Sequence, residues 1–225
     1  DPNFDLKANV IGNLGDDILV LTKDPTGASI EDISAAPQLF LIGSPNAPKL
    51  LEGLRTLSRY LTQGGGPQLI EREVAGTKIY SLAIAQEAGI SLELSAANGY
   101  VALATSAAFI EEFVRGNAPD RPLRAKRGLN QAADLVGGMG SGLFGVTNDK
   151  GTMEYYAKML KENPTMLEEA FASLPGGGED NPIISVLKSF DFSLLPDPAV
   201  IGRYFSFTVF TGEWDEKGLT AKAYV

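Results

Sequence analysis

Apolar residues along this chain recur at two periods, and the switches between them mark its elements. Asp16-Asp17-Ile18-Leu19-Val20-Leu21-Thr22-Lys23 reads as a first strand, closed by Asp24-Pro25-Thr26-Gly27. Pro37 to Ile42 is apolar at successive positions, the pattern of a strand covered on both faces. Gly43-Ser44-Pro45-Asn46 breaks it. Leucines at 50, 51, 54, 57 and 61 then predict a helix over Pro48 to Leu61, with Asn46 as its N-cap and Gln63-Gly64-Gly65-Gly66-Pro67 as its stop.

Three short strands follow, Lys78 to Ile84, Ile90 to Leu94 and Tyr100 to Ala104. Asn98-Gly99 joins the last two, because both central residues of a type I′ turn need positive φ. Thr105 or Ser106 caps a helix through Phe109, Ile110, Phe113 and Val114, and Gly116 ends it. A proline- and arginine-rich connector comes next, and then the chain starts again. Leu143 to Thr147 is a strand, Asn148-Asp149 a cap, and Met153, Tyr156, Ala157 and Leu160 mark a helix, echoing the unit from Leu39 to Leu61. Helices are predicted at Thr165 to Leu174, Pro182 to Phe190 and Pro198 to Tyr204. A terminal hairpin joins Ser206 to Phe210 with Leu219 to Val225 around Asp215 to Gly218.

Strands in hairpins with helices between the sets predict an α+β fold. Its sheets are expected to be antiparallel, with helices on one face and a degenerate tandem repeat. Residues 1–225 form one compact unit in this reading, or two lobes, 1–116 and 128–225, joined by the connector 117–127.

Composition narrows the chemistry. The 225 residues include no histidine and no cysteine, which removes Ser-His-Asp and Cys-His catalysis, zinc fingers, thiol redox chemistry and disulfides. No cofactor is expected, and soft metal ions lack their preferred ligands. A net charge of −9 repels phosphate backbones, so nucleic acid is not an expected partner. The longest apolar runs are too short to span a bilayer. The chain opens on Asp1-Pro2-Asn3 and closes in mid-strand, so it reads as a piece of a longer protein.

Each motif has a plain structural reading. Gly137 to Gly142 is glycine-rich, but its glycines precede a strand and no lysine follows them, so it is a turn and not a phosphate loop. Glu213-Trp214-Asp215-Glu216-Lys217-Gly218 resembles the start of a calcium loop, yet lysine takes a ligand position and Tyr224 the twelfth. Asp16 and Asp17 are neighbours on a strand and point to opposite faces, so they make no acid–base pair with each other. The basic stretch from Arg115 to Arg127 carries Arg121, Arg124, Lys126 and Arg127. These four and the lone Trp214 are the candidates for contact with a partner.

Four segments together resemble a known group: Asn13 to Asp17 leading into an apolar strand, Val74 to Tyr80, Gly99 to Ser106 before a helix, and Leu195 to Tyr204. The group comprises uncharacterised exported bacterial proteins, frequent in planctomycete-like and verrucomicrobia-like genomes, with a Leu-Gly-Asp-Glu motif before the first strand. Asp17 stands where that group often has glutamate. The resemblance implies an exported, periplasmic or envelope setting; no activity is established for the group, so it assigns no functional residue.

The function expected from all this is a non-catalytic binding or scaffold domain of a bacterial cell-envelope protein. A carboxylate-dependent, glycosidase-like hydrolase and a carrier of lipid or other apolar ligand are the alternatives. A binder shows an exposed apolar or charged face, a hydrolase a cleft with convergent carboxylates, and a carrier a closed apolar cavity.

Overall fold

The computed structural model describes residues 4–25, 27, 32, 35–61, 69–85, 90–116, 122–140, 142–172, 182–216 and 218–225. The fold is α+β with antiparallel sheets, and the chain divides into two compact units. Unit 1 is Asp1–Lys23 with Ala35–Ala118; unit 2 is Asp24–Ser34 with Pro119–Val225.

Unit 1 opens with helix α1 (Leu6–Asn9), followed by strands β1 (Ile18–Thr22) and β2 (Gln38–Gly43) and helix α2 (Ala47–Leu61). Strands β3 (Ile70–Val74), β4 (Thr77–Ala85), β5 (Ile90–Ala97) and β6 (Tyr100–Ala104) come next, then helix α3 (Ala107–Arg115). The six strands form one antiparallel sheet in the order β1-β2-β6-β5-β4-β3. Asn46 caps α2 as its sequence predicts, its Oδ1 accepting from the Lys49 N–H at 3.2 Å. Gly116, at φ 64°, ends α3.

Helices on one face only were expected, and the first sheet corrects that. Leu39, Leu41, Ala102, Ala104 and Ile79 pack under Phe109, Ile110 and Val114 of α3. Val101 and Tyr80, which point the other way, pack with Leu50 and Leu51 of α2 and with Val10. Two sandwiching helices require strands that are apolar at successive positions, the pattern already visible in Leu39 to Ile42.

Two tight turns set the register of this sheet. Asn98 (φ 54°) and Gly99 (φ 82°) connect β5 to β6 as a type I′ pair, and Ala75 (φ 50°) and Gly76 (φ 78°) connect β3 to β4 in the same way. A Cβ on Gly99 would meet no atom within 4 Å, so its cost is purely conformational. Gly99→Ala is therefore expected to destabilise by about 1 kcal/mol, and Ala75→Asn to stabilise by up to about 1 kcal/mol, by relieving a left-handed alanine. Urea unfolding midpoints of the two variants check both signs.

From residue 122 onward, unit 2 has a 3-10 turn at Leu123–Ala125 and helix α4 (Leu129–Val136). Strand β7 (Leu143–Thr147), helices α5 (Asp149–Glu162), α6 (Met166–Ala172), α7 (Pro182–Lys188) and α8 (Pro198–Gly202), and strands β8 (Thr208–Asp215) and β9 (Gly218–Tyr224) follow. The three strands form an antiparallel sheet in the order β7-β8-β9. Leu129, Ala132, Ala133 and Val136 of α4 seal one face of it over Val209.

Of three local expectations, two are sharpened here and one, the Asn148 cap, changes. The glycines from 137 onward end a helix, Gly137 standing at φ 117° as its C-cap. Asn148 is the residue before α5 but makes no side-chain cap. Asp149 instead accepts hydrogen bonds from the Thr147 and Thr208 hydroxyls, tying the helix start to β7 and β8. The ladder of β8 and β9 continues through Trp214–Leu219 to Asp215–Gly218, so the hairpin expected around Asp215 to Gly218 closes there, with β8 running on past Phe210. The β7–α5 unit shares its strand-then-helix order with β2–α2. However, β2 is flanked by β1 and β6 while β7 is an edge strand.

Candidate functional site

The first sheet has two edges of opposite character. At one edge β3 reads Ile70-Glu71-Arg72-Glu73-Val74, three charges in five residues, which discourages another strand from pairing with it. At the other, β1 reads Ile18-Leu19-Val20-Leu21-Thr22 with no charge, proline or bulge, and all five residues are exposed. Ile18 is 72% exposed and Val20 58%, far beyond what an apolar strand in a sheet ordinarily leaves in water.

The backbone of β1 adds direction to that surface. The Gly43 N–H donates to the Asp17 carbonyl, and the Lys23 N–H donates to the Pro37 carbonyl. In an antiparallel ladder the inward and outward residues alternate. Asp17, Leu19, Leu21 and Lys23 therefore turn their backbone groups toward β2, while Ile18, Val20 and Thr22 turn theirs to the free edge.

An open groove of about 690 Å³ adjoins the N-terminal end of β1, lined by Gly15, Asp16, Asp17, Ser44 and Tyr100 among others. Its walls are tightly bonded. The Gly15 N–H donates to the Gly43 carbonyl at 2.6 Å, the Ser44 N–H to the Gly99 carbonyl at 2.9 Å, and the Ser44 hydroxyl to the Asn13 carbonyl at 2.6 Å. The Tyr100 hydroxyl donates to Asp17 Oδ2 at 2.8 Å, which also raises the Tyr100 pKa above its ordinary 10.0, with burial and the Asp17 charge adding to the effect. A phenol held protonated in this way is a hydrogen-bond donor, not a base.

The raised pKa has a consequence for stability. The folded state holds the Tyr100 proton more tightly than the unfolded chain, so this contribution is fully present below pH 10.0 and lost as pH rises through the folded value. Tyr100→Phe is expected to lower the urea midpoint at neutral pH and to show a shallower further loss between about pH 9 and 11. Equal alkaline slopes in both proteins would contradict the assignment.

A second carboxylate cluster lies within the sheet. Glu93 is 2% exposed and accepts from the Ser81 hydroxyl at 2.6 Å, the Ser91 hydroxyl at 2.8 Å and Arg72 Nη2 at 3.3 Å. Arg72 also donates from Nη1 to Glu111 of α3, and Arg115 reaches the same Glu111 at 3.5 Å. Two carboxylates thus share one guanidinium, Glu93 sealed from solvent and Glu111 partly exposed. The cluster neutralises a buried charge.

The residues singled out from sequence are dispersed. Arg121 and the side chain of Trp214 lie outside the described residues; the Trp214 backbone is in β8 opposite Leu219. Arg124 and Arg127 are exposed. Lys126 is half-buried, with its Nζ 4.8 Å from the centre of the Phe207 ring. That contact is worth at most about 1 kcal/mol at such a site. Among the described residues, no three acidic side chains are grouped to hold a metal ion. No described helix is long and apolar enough to cross a membrane.

The apolar run marks Ile18 to Leu21 as a strand and carries no sign of its exposure beyond the absence of any gatekeeper charge between Asp17 and Lys23. Comparison of the chain with protein-family models, with curated proteins and with solved structures finds no match.

Proposed function

We propose that this chain is a non-catalytic binding domain that receives an extended segment of a partner along the β1 edge of its first sheet. One observation carries the reading: an uncharged strand, exposed at all five residues, presents the backbone groups of Ile18, Val20 and Thr22 outward. Strand addition draws its affinity from those main-chain groups and its selectivity from the alternating side chains. The hydrolase alternative needs two free carboxylates set across a groove from each other, whereas Asp16 and Asp17 of the open groove are chain neighbours, Asp17 accepts from Tyr100, and Glu93 is sealed. The carrier alternative needs an enclosed apolar cavity, whereas the 690 Å³ groove is open and flanked by two aspartates. An exported or envelope setting belongs to the proposal through the resemblance in the Asn13 to Asp17 and Leu195 to Tyr204 segments.

The test is a titration with a short extended peptide of alternating valine and threonine, followed by backbone amide NMR. Shifts centred on β1 and the facing residues of β2 are expected, and Val20→Lys should abolish them. Shifts located elsewhere would overturn the proposal, as would turnover of a glycoside that disappears in Asp17→Asn.

A further inference from the structure

Resting on that reading, we infer that the natural occupant of the β1 edge is β1 of a second copy of this chain, paired antiparallel about a twofold axis. The inference follows from the order of charges around the strand. Asp17 precedes it and Lys23 follows it, with only uncharged residues between. When such a strand meets its own copy antiparallel, the acidic end of each faces the basic end of the other, Lys23 bringing its ion pair with Glu112 and Asp17 its hydrogen bond from Tyr100 into the contact.

The outward backbone groups fix the register. Ile18, Val20 and Thr22 must face outward residues of the partner copy. Centring the twofold on Val20 pairs Ile18 with the copy's Thr22, Val20 with the copy's Val20 and Thr22 with the copy's Ile18, each as a hydrogen-bonded pair. The intervening closer pairs then oppose Leu19 to the copy's Leu21, and Asp17 to the copy's Lys23, on both sides of the axis. Moving the register by two residues in either direction keeps the hydrogen bonds but sets Lys23 against leucine or glycine and leaves Asp17 without a cation. The next pair outward in the centred register, Asp16 with the copy's Asp24, is like-charged and ends the ladder.

Both faces of the joined strands gain cover. Leu19 and Leu21 are each 43% exposed on one face, and Ile18 and Val20 are 72% and 58% exposed on the other. The other edge of the sheet, with Glu71, Arg72 and Glu73, cannot pair with itself in this way, so growth stops at a dimer. A five-residue strand pair buries well under the ~1,200 Å² of a standard stable interface, so the dimer is weak and reversible.

The experiment uses the full chain. Sedimentation velocity from low to high concentration, up to about 1 mM, should show a monomer–dimer equilibrium, and Val20→Lys should raise its midpoint at least about tenfold. Since the chain contains no cysteine, Val20→Cys supplies a single thiol, which the register places about 5.5 Å (Cα to Cα) from its copy, within disulfide range. Mild oxidation should therefore cross-link Val20→Cys into dimers and leave Ile18→Cys monomeric, because that residue faces Thr22 of the copy. Equal cross-linking of both cysteine variants would overturn the register. A strictly monomeric chain whose β1 still takes up the extended peptide would overturn the second-copy inference and leave the edge-binding reading standing. A monomer whose β1 takes up nothing would overturn both.

Discussion

Arg72→Met should destabilise unit 1 by about 3 kcal/mol at neutral pH, because it leaves the buried Glu93 carboxylate without its cation. Glu93 keeps the Ser81 and Ser91 hydroxyls, at 2.6 and 2.8 Å, which is why the expected loss stays at the lower end for a broken buried pair. Arg72 itself is 30% exposed at the side chain, so part of its charge was never out of water. The same substitution should alter the acid limb. Glu111 has its pKa held below the ordinary 4.5, first by the hydrogen bond from Arg72 and then by the Arg72 charge, with Arg115 adding less. A depressed carboxylate contributes stability above its unfolded value that is lost as pH falls through the folded one. Arg72→Met should therefore show a smaller further loss below pH 4.5 than the parent. Adding Glu93→Leu to Arg72→Met should restore at least half of the lost stability, since an apolar residue in that slot needs no cation. Urea unfolding by circular dichroism across pH decides these points; a loss under about 1 kcal/mol for Arg72→Met would show that Glu93 is neutralised by other means.

The same cluster shows where the sequence was legible and where it was not. Strands β2 and β6, the Asn98-Gly99 turn, the Asn46 cap and the Gly116 stop are set by local chemistry within a few residues, and each lies where the pattern put it. Strand β3 was missed because Glu71, Arg72 and Glu73 outnumber its apolar residues, and because its turn uses Ala75-Gly76 instead of asparagine-glycine. Helix α4 was missed although Leu129, Ala132, Ala133 and Val136 follow the helical spacing; two of these are alanines, and glycines stand on both sides. In β5 the alternation of Ser91, Glu93 and Ser95 with Leu92 and Leu94 reads as a solvated polar face. That face lies beneath α3, and its polar groups are satisfied by Arg72, Ser81 and the Lys78 carbonyl, residues 12 to 21 positions away in sequence. Cover supplied by a distant helix leaves no local mark. The same reasoning applies in reverse to β1, whose apolar composition looks internal while no described element covers its outer edge.

Gly53→Ala should destabilise the protein, against the usual sign for this exchange in the middle of a helix. Alanine ordinarily gains about 1 kcal/mol over glycine inside a helix, through lower entropy in the unfolded chain and better propensity. Gly53 lies within the 15 residues of α2, where that gain would apply to an open face. Here a Cβ would meet the Asn9 carbonyl oxygen at 2.5 Å, the Asn9 carbonyl carbon at 3.0 Å and Val10 Cγ2 at 3.1 Å. The first two are backbone atoms at the C-terminal end of α1. They cannot yield by a rotamer change, because the Asn9 N–H donates to the Asp5 carbonyl and the Val10 N–H to the Leu6 carbonyl. Relief would require α1 to move away from α2 and carry Val10, 7% exposed, out of the cluster with Leu50, Leu51 and Tyr80. A clash of this kind costs about 1–3 kcal/mol, and the lost packing of Val10 adds to it, so the net change is about 1–3 kcal/mol destabilising after the helix gain is subtracted. Val10→Ala in the same background separates the terms: it empties the third contact but leaves the backbone clash, so the Gly53→Ala penalty should persist. Urea titrations of the four proteins in this cycle measure it, and an unchanged or raised midpoint for Gly53→Ala would mean that α1 is free to shift.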